Sequence, residues 1–141
     1  MKLTAHFSYE EFTHSEFAVR NRISNIPPKE VLVNLHRLAA RMEIVRSILG
    51  KSIIVSSAYR NPQVNAGVGG ASTSAHINGN ACDFICPTFG VPNLIFQELR
   101  KHVDKIDYDQ LILEYPSSDN GGWIHLGLSQ TPRRMAFVKG A

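Results

Sequence analysis

The chain has 141 residues, of which 43% are hydrophobic and 19% charged, and its formal net charge is +3. That length suits one domain over residues 1–141 and can bury a core unaided, so no metal or disulfide is needed merely to hold a minimal fold together. The basic residues are scattered, with only a loose group at Arg133, Arg134 and Lys139, which argues against a nucleic-acid partner and leaves at most electrostatic attraction to an anionic polymer.

From the N-terminus, Met1 to Phe12 has no apolar run of the secretory kind, and no stretch approaches the roughly 20 apolar residues of a membrane span. Synthesis in the cytoplasm without a leader is expected. Ser8 followed by Glu11 fits a capping box, so a short helix starts near Tyr9. Asn25-Ile26-Pro27-Pro28 breaks the chain and sets Pro28 in the first turn of the next helix. Val31, Leu35, Leu38, Met42, Val45 and Leu49 make that helix's apolar stripe, and Gly50 stops it. His36 lies beside the stripe and reads as a surface or half-buried structural residue.

Ile53-Ile54-Val55 reads as a strand, and the Gly-, Asn- and Ser-rich stretch 60–75 as a long loop. Asn80 to Ile85 forms a second strand. Pro92 opens a helix whose buried face is Leu94, Ile95, Leu99 and Val103. Gln110 to Glu114 and Trp123 to Leu128 are two more strands joined by a turn, and Ala136-Phe137-Val138 adds an edge strand. Helices first and strands later predict an α+β fold with a mostly antiparallel sheet. Cys82 and Cys86 on one extended segment lie roughly 13 Å apart. A disulfide needs about 7 Å, so both are expected to be free thiols in a reducing compartment.

Alternation along the strands sorts the side chains. Ile124, Leu126 and Leu128 face the core, with Trp123, His125 and Gly127 opposite. Asp83 points away from Cys82 and Phe84. If Glu114 pairs with Trp123, it becomes a diagonal neighbour of His125, and one face gathers Asp83, Glu114, Trp123 and His125. His76 precedes Asp83, with Gly79 permitting the turn between them. Two histidines and a carboxylate are a standard catalytic zinc set, with a fourth position for water. A second carboxylate outside that set, here Glu114, is the candidate proton carrier. Asp83 sits mid-strand, where aspartate is disfavoured, so it needs a partner. A metal and a salt bridge to Arg60 both remain open. His125 can equally be a satisfied core histidine, and Trp123 a packing residue.

The run from Ser74 to Asp83 fits S-x-H-x-x-G-x-A-x-D and resembles the D-Ala-D-Ala metallopeptidase family, which includes carboxypeptidases and phage L-alanyl-D-glutamate endolysins. Ser56-Ser57-Ala58-Tyr59-Arg60-Asn61-Pro62, Val68-Gly69-Gly70 and Trp123-Ile124-His125 extend the resemblance over nearly the whole chain. It implies a small antiparallel sheet flanked by helices, a fold shared with the hedgehog signalling domain. It implies zinc ligands His76, Asp83 and His125, with Arg60 on a substrate carboxylate or carbonyl and Ser74 and Trp123 near the bound peptide. It implies hydrolysis of an amide bond in peptidoglycan stem peptides by a monomer, reaching the wall by holin-type release if phage-encoded. Many relatives carry the catalytic acid two or three residues before the last histidine, where this chain has Trp123 and Gly122; Glu114 is the substitute. A zinc-containing module that binds wall peptide or protein without cutting it is the alternative, and a purely structural zinc ranks last, because such a site normally has four protein ligands.

Overall fold

The computed structural model describes residues 1–140. Ser8 caps α1 (Tyr9–Thr13) with the expected reciprocal box: its Oγ accepts from Glu11 N, and the Glu11 carboxylate accepts from Ser8 N. Ser15 caps a second short helix, α2 (Glu16–Arg20). The long helix α3 (Lys29–Leu49) carries all six stripe residues on its buried side and ends at Gly50, whose φ of 67° is left-handed. Pro28 is the residue before its first turn rather than within it. His36 is exposed.

β1 (Ile54–Ser57) follows. The stretch expected as one long loop contains a helix, α4 (Pro62–Gly67). Asn61 caps it by accepting from Val64 N, and Pro62 supplies a preset first residue. The glycines end α4 instead of keeping the stretch irregular. A 3₁₀ turn, Ala75–Asn78, leads into β2 (Ala81–Ile85). α5 (Pro92–Arg100) buries Pro92, Ile95, Phe96 and Leu99, whereas Leu94 is 54% exposed. Positions 92, 95, 96 and 99 follow the helical period, and Leu94 is turned about 100° from Ile95. Half-buried Val103 starts a separate short helix, α6 (Val103–Ile106), and packs on the core. The remaining strands are β3 (Gln110–Glu114), β4 (Trp123–Gly127) and β5 (Met135–Lys139).

The five strands form one sheet in the order β1-β2-β4-β3-β5. The architecture is α+β, and every pairing is antiparallel except β3 with β5. A mostly antiparallel sheet is what the sequence predicts, and the connection explains the one parallel pair. Gln110 pairs with both Gly127 and Met135, so β4 ends and β5 begins at the same end of the sheet. A strand entering there on the free side of β3 must run in the direction of β3.

α3 and α5 cover one face of the sheet. Leu35, Leu38, Met42, Ile95 and Leu99 pack there against Phe84, Leu111, Ile124 and Leu126. Each such burial contributes roughly 1.5–3 kcal/mol. Cys82 and Cys86 are buried free thiols, as expected. Among the described residues no helix is long and apolar enough to cross a membrane.

Candidate metal centre

The sheet face opposite the helices is polar at its middle. The register places Asp83 directly across from His125, and Glu114 across from Trp123. Ile112 is the other neighbour of His125, so Glu114 is the expected diagonal neighbour on the same face. β1 slips register between Val55 and Ser57, which brings Ser57 against Asp83. His76 arrives from the 3₁₀ turn, where Ser74 Oγ accepts from its backbone N–H. Gly79 closes that turn at φ 73°, and a Cβ there would lie 3.1 Å from the Val31 carbonyl. Both conformation and space demand glycine.

His76, Asp83 and His125 are 2%, 6% and 9% exposed. One nitrogen from each histidine and one carboxylate oxygen all lie within 4.8 Å of one another. His76 Nε2 is 3.2 Å from Asp83 Oδ1, and His125 Nδ1 is 2.9 Å from the same oxygen. His76 Nδ1 lies 2.7 Å from the Ala58 carbonyl, which can only accept, so the proton belongs on Nδ1. In a neutral ring Nε2 then turns a lone pair toward a carboxylate oxygen. Lone pair facing lone pair is stable only with a proton or a cation between them. Burial pushes the Asp83 carboxyl upward, but positive charge on His76 and hydrogen bonds from both histidines outweigh it and hold it well below the usual carboxylate range. The pocket therefore keeps Asp83 as a carboxylate. Donors about 2.0–2.2 Å from a shared ion sit roughly 3.3–3.6 Å apart in a tetrahedral set, a little beyond the 3.2 and 2.9 Å found here. The donor set fits a metal ion, and the backbone bond to His76 is the usual device that fixes a ligand imidazole.

Arg60 joins the same carboxylate. Its Nη2 donates to Asp83 Oδ2 at 3.2 Å, its Nε to Ser57 Oγ at 3.0 Å and its Nη1 to Asn65 Oδ1 at 3.3 Å. The two roles weighed for Asp83 are thus compatible: Oδ1 faces the histidines and Oδ2 takes the arginine. Three of the five guanidinium N–H groups are engaged within the protein.

A groove of about 1160 Å³ runs over this face and is lined by Arg60, Ser74, Glu114 and Trp123 as well as the three candidate ligands. At one end Trp123 packs against Tyr115, with ring centroids 5.4 Å apart. The Trp123 Nε1 is buried without a hydrogen-bond partner among the described residues.

The candidate ligands His76, Asp83 and His125, together with Arg60, Ser74, Glu114 and Trp123, all line this one groove. Sequence reasoning missed Asn65, Ser57 as an arginine partner, Tyr115, and Asn25. The Asn25 amide donates to the Thr13 and Tyr59 carbonyls and accepts from Asn61 N, tying down the segment that carries Arg60. Asn25 stood in a run read only as a chain break. Asn65 stood in a run read as irregular. Neither had a pattern of its own to mark it.

Residues 5–126 match the family model described as Peptidase M15. No curated protein matches the chain. The match spans most of the sequence and ends just past His125, so the chain belongs to the M15 family of metal-dependent peptidases.

Proposed function

From its membership of the M15 peptidases, we propose that this chain is a zinc enzyme that hydrolyses an amide bond in the stem peptides of bacterial peptidoglycan, as a D-Ala-D-Ala carboxypeptidase or an endolysin-like endopeptidase. The observation that carries the reading is the buried His76–Asp83–His125 donor set on the floor of an open groove. His76, Asp83 and His125 would hold the ion. Zinc, when bound, supplies Lewis-acid chemistry, polarising a carbonyl and making a water more acidic.

The chain's own residues do the rest. Glu114 lines the groove as a diagonal neighbour of His125, which suits a carboxylate that takes a proton from the attacking water and passes it to the leaving amine. Arg60 meets a substrate carboxylate or carbonyl with its two remaining N–H groups, while the other three hold it in place. The Ser74 Oγ accepts from His76 N and keeps its own proton to donate to the peptide. Trp123 and Tyr115 form an aromatic wall beside Glu114.

Digestion of purified muropeptides, followed by mass spectrometry, tests the proposal. The zinc-loaded protein should release D-alanine or split the stem peptide. Glu114→Gln should keep its zinc and lose turnover. A fully active Glu114→Gln would remove that residue's role. Zinc at full occupancy with no muropeptide cut would leave a wall-peptide-binding module instead.

A further inference from the structure

Among the described residues, two polar side chains are buried outside the candidate ligand set, Asn25 and Asn65. Asn25 joins backbone to backbone. Asn65, 2% exposed, joins a loop of the groove to a charged side chain. Its Nδ2 donates to the Ala71 carbonyl at 2.8 Å, and its Oδ1 accepts from Arg60 Nη1 at 3.3 Å. A guanidinium only donates and a carbonyl only accepts, so the amide has one satisfied orientation. The loop closes directly onto it: Gly70 N donates to Asn65 O at 2.9 Å, and a Cβ at Gly70 would lie 2.2 Å from Asn65 Oδ1. Gly70 is therefore a glycine for space and not for backbone conformation.

The connection continues inward. Held by Asn65 on one side and Ser57 on the other, Arg60 donates to Asp83 Oδ2, which leaves Oδ1 for the two histidines. A carboxylate free to rotate would present either oxygen, or both. We infer that Asn65 is a positioning residue of the metal centre: through Arg60 it fixes which oxygen Asp83 offers to the ion, and it ties the groove-lining loop 68–71 to that choice. The inference rests on the metal reading proposed above. It assigns to a residue remote from the ion a role that simple bracing of α4 does not require.

The distinction is one of coupling. A brace lowers stability whatever residue 60 is. A positioning residue acting through Arg60 has nothing left to act on once Arg60 is gone. Zinc affinity, measured by competition with a chromophoric chelator, is compared in wild type, Asn65→Ala, Arg60→Ala and the double variant. Each single variant should bind zinc about ten-fold more weakly, in the range for residues that orient metal ligands. The double variant should bind no more weakly than Arg60→Ala alone. Gly70→Ala supplies an independent approach, because its methyl displaces the Asn65 amide from the loop side while leaving both side chains present. It should show the same loss, and the loss should vanish in the Arg60→Ala background. This second cycle decides the matter if Asn65→Ala does not fold. Zinc binding unchanged in Asn65→Ala and Gly70→Ala, or losses that multiply in the double variants, would overturn the inference alone. A wild type that binds no zinc would overturn the metal reading and this inference together.

Discussion

The two faces of the sheet are built by the same strands and buried by different means. Along β4, Ile124 and Leu126 point into the helical layer and are fully covered by carbon. His125, between them, points the other way and is almost as inaccessible, yet its neighbours are a carboxylate and an imidazole. On the helical face burial is favourable in itself. On the open face it costs free energy unless each polar atom finds a partner. Asp83 finds three, with Arg60 on one oxygen and two histidines on the other. The comparison teaches that the core sets the architecture, while the open face is held in order only as a network of partnered polar groups, whose donor set fits a cation.

Removing the metal should separate the two faces most sharply. A chelator should abolish peptidase activity while far-ultraviolet circular dichroism keeps its folded shape, because the core does not depend on the ion. Loss of secondary structure on chelation would break the comparison. Next in size, Glu114→Gln should lower turnover by about 10²–10⁴-fold, the usual contribution of a positioned acid–base group, with zinc stoichiometry unchanged. The reciprocal experiment is Leu126→Ala on the helical face. It should cost about 2–5 kcal/mol in denaturant unfolding yet leave one zinc per folded chain.

The smallest effect lies on the outer surface of the helical layer. Burial pushes the Glu43 carboxyl upward, but hydrogen bonds from Thr4 and from the His6 side chain and backbone outweigh it and lower its pKa. A folded-state pKa below the unfolded value of about 4.3 contributes stability above that pH and loses it as the pH falls further. Glu43→Gln should therefore lower the melting temperature at neutral pH and become indistinguishable from wild type in strong acid. A deficit that persists in acid would mean that Glu43 acts through packing.

What was legible in the sequence follows the same division. Period-two alternation placed Asp83, Glu114, Trp123 and His125 on one face, and the strand register agrees, because strand pairing leaves little freedom once the core face is apolar. The stripe of α3 was equally plain. Leu94 was misplaced because the apolar residues of α5 do not all lie on one side of the helix. The parallel pairing of β5 was hidden because strand direction depends on where the preceding loop crosses, which no local pattern records. Arg60 was legible as a residue that matters and as one of two partners weighed for Asp83, a pairing the structure contains, but not as one held by Ser57 and Asn65. Those two partners, 3 and 5 residues away, emerge only when α4 and the β1 register slip bring them together.

The most direct test is the metal content of protein purified without added zinc, by elemental analysis, beside His76→Ala. The account predicts about one zinc per wild-type chain and none in the variant, with the variant still folded. No metal in the wild type, and none taken up on addition, would contradict it, as would a His76→Ala protein that keeps its zinc.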